Sequence, residues 1–164
     1  QFHITNAVAI APGGAKNPGQ DMPSRRWPIE RFAMLANTIS KKNKVVLVGG
    51  KDDKKLGEYI SQSIDCVNLI DTLSVRETAG VLKHCKLLIT NDAGLMHVAA
   101  AVGCKVLAIF GPTDPVRKAP HGSFVAWHPM HLDHAEVFAT YDKAAEENIK
   151  KVSLKEVLDL WKKA

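Results

Sequence analysis

The stretch "CKLLITNDAGLMHVAAAVGCKVLAIF", residues 85–110, decides the fold. "CKLLIT" and "KVLAIF" are short apolar runs rich in β-branched residues and read as buried strands. Between them "NDAGLMHVAAAVG" (91–103) reads as a helix that is apolar on nearly every side and ends at Gly103. Strand, helix, strand in this order makes a βαβ unit with parallel strands. The helix opens with Asn91, Asp92 and Gly94 and carries His97, which its apolar body does not explain.

Working outward, the same alternation recurs. "NAVAIA" (6–11) is a strand ended by Pro12 and the pair Gly13-Gly14. "PIERFAMLANTISKK" (28–42) is helical, with Pro28 in its first turn and Phe32, Leu35, Ala36 and Ile39 on one face. "KVVLVGG" (44–50) is a strand closing on two glycines, "DKKLGEYISQSI" (53–64) a helix and "CVNLI" (66–70) a strand. "SVRETAGVLKHC" (74–85) is a helix with Ser74 as N-cap and Glu77 completing a capping box. The strands are apolar runs rather than alternating patterns, so both faces are covered. The expectation is an α/β domain with a doubly wound parallel sheet of five strands. From about residue 116 the pattern weakens until "KKVSLKEVLDLWKK" (150–163), an amphipathic helix with Leu154, Val157, Leu158 and Trp161 on one face. Its core, about 152–163, either packs on the domain or turns Lys150, Lys151, Lys162 and Lys163 to anionic lipid; packing is the preferred reading.

A chain of 164 residues with 46% hydrophobic and 24% charged residues is long enough for one real core. No apolar run reaches the roughly 18 residues of a membrane span, and no export leader is visible. Cys66, Cys85 and Cys104 form no CxxC motif and fit reduced core thiols, so a cytoplasmic location is expected. The net charge of +5 favours an anionic partner without choosing one. Nucleic acid is disfavoured because no aromatic-interleaved basic face or recognition motif is present.

In a doubly wound sheet ligands bind at the carboxyl ends of the strands. The unusual residues cluster there: Gly13-Gly14, Gly49-Gly50, Asn91 to Gly94, and "GPTDP" (111–115). A helix beginning after a buried strand offers unpaired N–H groups to an anion, and Gly94 lets a phosphate approach the backbone. The alternative is that Asn91 and Asp92 are helix caps, Gly94 a tight turn and His97 a satisfied core histidine. "APGGAKN" sets Lys16 beside flexible glycines but is no P-loop. In "PSRRWP" one arginine is a candidate phosphate clamp, with Trp27 packed beneath the loop. "HPMHLDH" (128–134) offers His128, His131, Asp133 and His134 to a metal, yet the spacing fits no standard zinc pattern. No metal site is therefore expected.

Together "APGG" (11–14), "RRWPIERFAMLA" (25–36), "VVLVGGKDD" (45–53) and "ITNDAGLMHVAAAVGCKVLAIFGPTDP" (89–115) resemble the C-terminal half of glycosyltransferase family 9, the lipopolysaccharide heptosyltransferases. The resemblance covers about residues 8–116. It implies a GT-B enzyme of two Rossmann-like domains with the active site between them. Residues 1–164 would be the single donor-binding domain, the N-terminal acceptor domain lying outside this sequence. The donor would be a sugar nucleotide, ADP-heptose in the best-known members, with no metal or other cofactor. Asp92 would bind the sugar hydroxyls, and the amides of Ala93, Gly94 and Leu95 with His97 would hold the pyrophosphate. Arg25, standing where the family usually has lysine, would stabilise the leaving phosphate. Asp53 and Leu73 would lie near the adenosine, and Gly13, Gly14, Lys16 and Asn91 would complete the donor site. The acceptor, a glycan or lipid-linked glycan, would be engaged by the other domain, which also supplies an aspartate as general base. The resemblance implies a bacterial cytoplasmic enzyme with at most peripheral contact at the inner face of the inner membrane, inactive as an isolated domain. A non-catalytic nucleotide-binding module is the alternative.

Overall fold

In a computed structural model, the structure describes residues 4–14, 16–17, 20–130 and 143–164. Six parallel strands form the central sheet: β1 (Ala7–Ala11), β4 (Val45–Leu47), β5 (Val67–Asn68), β6 (Cys85–Asn91), β7 (Lys105–Ile109) and β8 (Phe124–Ala126). A two-stranded antiparallel hairpin, β2 (Lys16–Asn17) and β3 (Gln20–Asp21), stands apart from it. The helices are α1 (Ile29–Ser40), α2 (Lys54–Ser61), α3 (Val75–His84), α4 (Gly94–Ala101), the short α5 (Pro115–Lys118), α6 (Lys143–Lys150) and α7 (Leu154–Lys163). Single 3₁₀ turns at Pro23–Arg25 and Lys51–Asp53 precede α1 and α2.

The order in the sheet is β5-β4-β1-β6-β7-β8. The chain winds outward from β1 to one edge, then returns to β6 and winds to the other. That reversal, the hallmark of a doubly wound Rossmann-like sheet, opens a crevice between the carboxyl ends of β1 and β6. The expected doubly wound α/β fold is what the structure has, with a sixth strand beyond the five expected. Strand β8 has only three residues, two of them half-buried, so it has no long apolar run to announce it.

Alternate residues of each strand feed two cores. Val8 and Ile10 of β1 face α1, α2 and α7, packing with Phe32, Leu35, Ile60 and Val157. Ala7, Ala9 and Ala11 face the other side, with Leu82 of α3 and Met96 and Ala99 of α4. Three alanines on that face let the crevice helices approach the sheet closely. Helix α1 buries the four predicted residues, and α3 carries the predicted capping box between Ser74 and Glu77. Helix α7 packs its apolar stripe on the domain: Val157 is fully buried, and Leu154, Leu158 and Trp161 lie against the first core. The second capping box, Ser153 with Glu156, sets its start two residues later than expected. Helix α4 is less buried than its sequence suggests, since Gly94, His97, Ala100 and Ala101 are exposed. Gly103 ends it with a positive φ of 80°, as its place after the apolar run predicts. No helix among the described residues is long and apolar enough to cross a membrane.

Candidate functional site

The crevice is assembled by buried polar side chains that tie loops together. Asn91 ends β6 with its side chain wholly buried. Its Oδ1 accepts from the Trp27 N–H at 3.0 Å, and its Nδ2 donates to the carbonyls of Pro12 at 3.0 Å and Gly13 at 3.1 Å. One amide thus joins the end of β6, the glycine loop after β1 and the segment that carries Arg25. Trp27, 2% exposed, is held from below by its indole N–H donating to the Val152 carbonyl at 2.8 Å. It meets Phe32 edge-on, with ring centroids 5.1 Å apart.

Asp53 joins the two glycine loops. Its carboxylate accepts from the Gly14 N–H at 3.1 Å and the Gly50 N–H at 2.9 Å. The closeness dictates the glycines. A Cβ on residue 13 would lie 1.9 Å from Asp53 Oδ1. Residue 14 has φ +87°, and a Cβ there would lie 2.5 Å from that of Ala93. Arg26 donates from Nε to the Gly14 carbonyl at 2.9 Å and pairs with Asp21. Lys16 pairs with Asp52 at 3.1 Å, both largely exposed.

These loops surround a cavity of about 440 Å³ at the switch point. Gly13, Gly14, Lys16 and Asp53 line one side. Ala93, Gly94 and Leu95 at the start of α4 line another, and Leu73, Val75 and Val98 give it an apolar wall. The N-cap of α4 is Ala93, which makes no side-chain capping bond, so the first amides of the helix stay open. Asn91 and Asp92 are therefore not helix caps: both are spent on tertiary contacts.

Beside this cavity, but outside its lining, lies a second cluster. Asp92, 4% exposed, accepts from the Thr113 hydroxyl at 2.6 Å and faces Arg25 Nε at 3.5 Å. The Arg25 side chain is 13% exposed and its Nε has no aligned hydrogen-bond partner among the described residues. A partly buried guanidinium beside a buried carboxylate is held in place and poorly hydrated, a geometry that could receive an anion. His97 sits one turn into α4 on its exposed face, outside the cavity lining, so it is not a core histidine.

The structure thus brings Gly13, Gly14, Lys16, Asp53, Leu73, Ala93, Gly94 and Leu95 to one cavity and sets Arg25 and Asp92 beside it. Asn91 works behind the surface as a clamp. Thr113, Arg26, Val75 and Val98 were not singled out from sequence. The "GPTDP" loop at a strand's carboxyl end was the available signal for Thr113; the apolar wall left none. Of the histidine-rich run, His128 pairs with Glu156 at 2.9 Å, and His131, Asp133 and His134 lie outside the described residues. Among the described residues no group of three His, Cys, Asp or Glu side chains is placed to hold a metal ion.

Comparison with known proteins points to one family. The family Glycosyltransferase family 9 (heptosyltransferase) matches residues 5–146. Lipooligosaccharide heptosyltransferase 2 of Haemophilus influenzae is 37% identical over 111 residues, 63% of this chain and 32% of that protein. Lipopolysaccharide heptosyltransferase 2 of Salmonella typhimurium is 35% identical over 106 residues, 60% of this chain and 30% of that protein. The Escherichia coli ADP-heptose lipopolysaccharide heptosyltransferase II structure superposes with a TM-score of 0.75 at 23% identity, covering 99% of this chain and 47% of that one. The Escherichia coli heptosyltransferase WaaC with ADP gives a TM-score of 0.74 at 15% identity, covering 99% and 45%. The chain spans about a third of the length of these curated relatives and about half of these solved structures. With the family matched over most of its length, and with the doubly wound sheet and crevice to go with it, the chain belongs to glycosyltransferase family 9.

Proposed function

We propose that this chain is the donor-binding half of an inverting glycosyltransferase that moves heptose from ADP-heptose onto a lipopolysaccharide-core or similar glycan. One observation carries the reading: open helix amides, a glycine-walled cavity and a pair of the partly buried Arg25 with the buried Asp92 converge at one switch point. The base and ribose occupy the cavity against Leu73 and Val98, beside the loop that Asp53 closes. The pyrophosphate lies over the amides of Gly94 and Leu95, where the helix end carries partial positive charge. His97, exposed one turn along, reaches the phosphates from the open side. The sugar extends toward Asp92, whose second oxygen is free to accept from its hydroxyls while Thr113 holds the first.

In the reaction, an acceptor hydroxyl attacks the anomeric carbon as the bond to the β-phosphate oxygen breaks, and ADP departs. The charge that grows on that oxygen meets donors already in place, the helix amides and Arg25, so little reorganisation opposes the step. Counter-charge comes from the protein itself, and neither metal nor organic cofactor enters the scheme. The acceptor proton passes to an aspartate in a second Rossmann-like domain outside this sequence, which also selects the acceptor. The complete enzyme works in the bacterial cytoplasm, at the inner face of the inner membrane where a lipid-linked acceptor is presented.

Calorimetry with ADP, ADP-heptose and UDP tests this. ADP-heptose should bind more tightly than ADP, and UDP more weakly than either. Arg25→Ala should weaken both adenine ligands by at least tenfold, as expected for loss of a charge-assisted contact of about 1.5–3 kcal/mol. Equal affinity for ADP and ADP-heptose would favour a nucleotide-binding module without transfer. Transfer of heptose by this chain alone would refute the assignment of the base to another domain.

A further inference from the structure

We infer that Thr113 is a positioning residue that holds Asp92 and Arg25 apart and so keeps both open to a ligand; what they receive rests on the proposed function. Left to themselves in a poorly hydrated site, a guanidinium and a carboxylate close fork to fork, through two parallel bonds of about 2.7–2.9 Å. The two here do not. Arg25 Nε stands 3.5 Å from Asp92 Oδ2, and that Nε has no aligned hydrogen-bond partner among the described residues. The Thr113 hydroxyl instead donates to the same oxygen, Oδ2, at 2.6 Å. Such a length falls in the range of about 2.5–2.7 Å expected for a hydroxyl bonded to a carboxylate charge. Thr113 thus takes the oxygen that faces Arg25.

The hydroxyl can resist the pull of the guanidinium because its loop is pinned from several sides. Thr113 is 1% exposed, in the loop 111–114 between β7 and α5. The Gly111 carbonyl accepts from the Trp127 indole N–H at 3.1 Å, and Asp114 caps α5 by accepting from the Val116 N–H at 2.9 Å. Gly111 lies so near the Ser24 carbonyl that a Cβ on it would stand 2.2 Å from that oxygen. Ser24 directly precedes Arg25, so the loop of Thr113 packs against the turn that carries the arginine. Asp92 hangs from the same strand end, its N–H donating to the Ile109 carbonyl at 3.1 Å. A β-branched residue suits the place, because its methyl group restricts χ1 and keeps the hydroxyl aimed one way.

A single neutral donor also suits the chemistry of the pair. A lysine or arginine at this position would cancel the charge of Asp92 and repel Arg25. A valine would leave the buried carboxylate with Arg25 as its nearest donor, and the fork would close. The hydroxyl satisfies Oδ2 and does neither. Oδ1 is left to accept from sugar hydroxyls, and Arg25 keeps its charge for phosphate oxygens. Under the proposed function, Thr113 therefore sets both the affinity for the diphosphate and the added affinity for the sugar, acting through these two side chains.

Nitrogen-15 spectra of the unliganded chain test the pair first. The Arg25 Nε–H signal, identified by its absence in Arg25→Lys, should exchange freely with water in the parent and in Thr113→Ser. In Thr113→Val its exchange should slow by about tenfold or more, because Asp92 now accepts from it. Thr113→Ala serves in its place if Thr113→Val does not fold. Calorimetry then reads the consequence. Thr113→Val should weaken ADP about tenfold, as for loss of a charge-assisted contact, and erase the preference for ADP-heptose over ADP. Thr113→Val/Asp92→Asn should recover the parent's affinity for ADP, since a neutral amide does not capture Arg25, while the sugar preference stays lost. A threonine that merely supports the loop gives the opposite result, a double variant weaker than Thr113→Val. The inference is overturned if the Arg25 Nε–H exchanges alike in the parent and Thr113→Val, or if Thr113→Ser behaves as Thr113→Val does. It is also overturned if the double variant binds ADP no better than Thr113→Val. A parent that binds neither ADP nor ADP-heptose would refute the proposed function, and the spectra alone would then decide whether Thr113 holds the pair apart.

Discussion

Asn91→Ala is the sharpest test of how the crevice is held. The change removes three buried hydrogen bonds, of 3.0, 3.0 and 3.1 Å, and all three partners are backbone groups. Each bond contributes about 0.5–1.5 kcal/mol net, and a buried partner left bare costs about 1–3 kcal/mol. Water entering the vacated space would recover part of that. The sum is a loss of about 3–4 kcal/mol, a large fraction of the stability of a domain this size. Urea unfolding followed by tryptophan fluorescence and circular dichroism would measure it, with an unchanged m-value required for a clean comparison. Asn37→Ala, at an exposed position of α1, is the control and should stay within about 0.5 kcal/mol of the parent or gain slightly from helix propensity. A loss below about 1 kcal/mol at Asn91 would mean the three loops hold one another without the amide, and the clamp would be refuted.

Four further outcomes are expected. Gly94→Ala meets open space and stands at a helix start, so stability should hold or rise by up to about 1 kcal/mol while ADP affinity falls; unchanged affinity would remove the phosphate from that helix end. Gly111→Ala would set a Cβ 2.2 Å from the Ser24 carbonyl oxygen and 3.3 Å from Ile149 Cβ, and should destabilise by about 1–3 kcal/mol in urea. Burial pushes the Cys85 thiol up to about 12 and that of Cys104 up to about 11, and raises Cys66 less far. The folded chain therefore keeps protons that the unfolded chain releases near pH 9, so stability should fall as pH rises above 9, and Cys85→Ala/Cys104→Ala should flatten that slope. At pH 8 a thiol reagent should modify Cys66 well before the other two.

The sheet was readable because its strands are continuous apolar runs punctuated by glycine, and because Ser74 and Glu77 announce a helix start. Strand β8 was hidden by its brevity and half exposure, and the small hairpin by strands of two residues each. The crevice was readable as a place, from glycines and a polar helix start at strand ends. Roles within it were not. Asn91 and Asp92 stand side by side in sequence with the same look of a helix cap. Only the third dimension gives the first to Trp27 and the glycine loop and the second to Thr113 and Arg25. Asp53, legible as an acid after a glycine pair, proves to close one glycine loop onto another. His97 was conspicuous against an apolar helix because that helix is half exposed, which no periodicity in an alanine-rich segment reveals.

The Val152 carbonyl accepts both the Trp27 indole N–H, at 2.8 Å, and Arg31 Nη1, at 2.6 Å. It lies 125 residues along the chain from Trp27, yet Trp27 is two positions from Arg25. Cutting the chain before Val152 would thus remove the floor from under the segment that carries Arg25. A truncation ending before Val152 leaves a buried indole donor without its acceptor directly beneath the "RRWP" turn. Loss of donor affinity in such a truncation would be damage done to the crevice from below, and the tail need never touch the ligand to cause it.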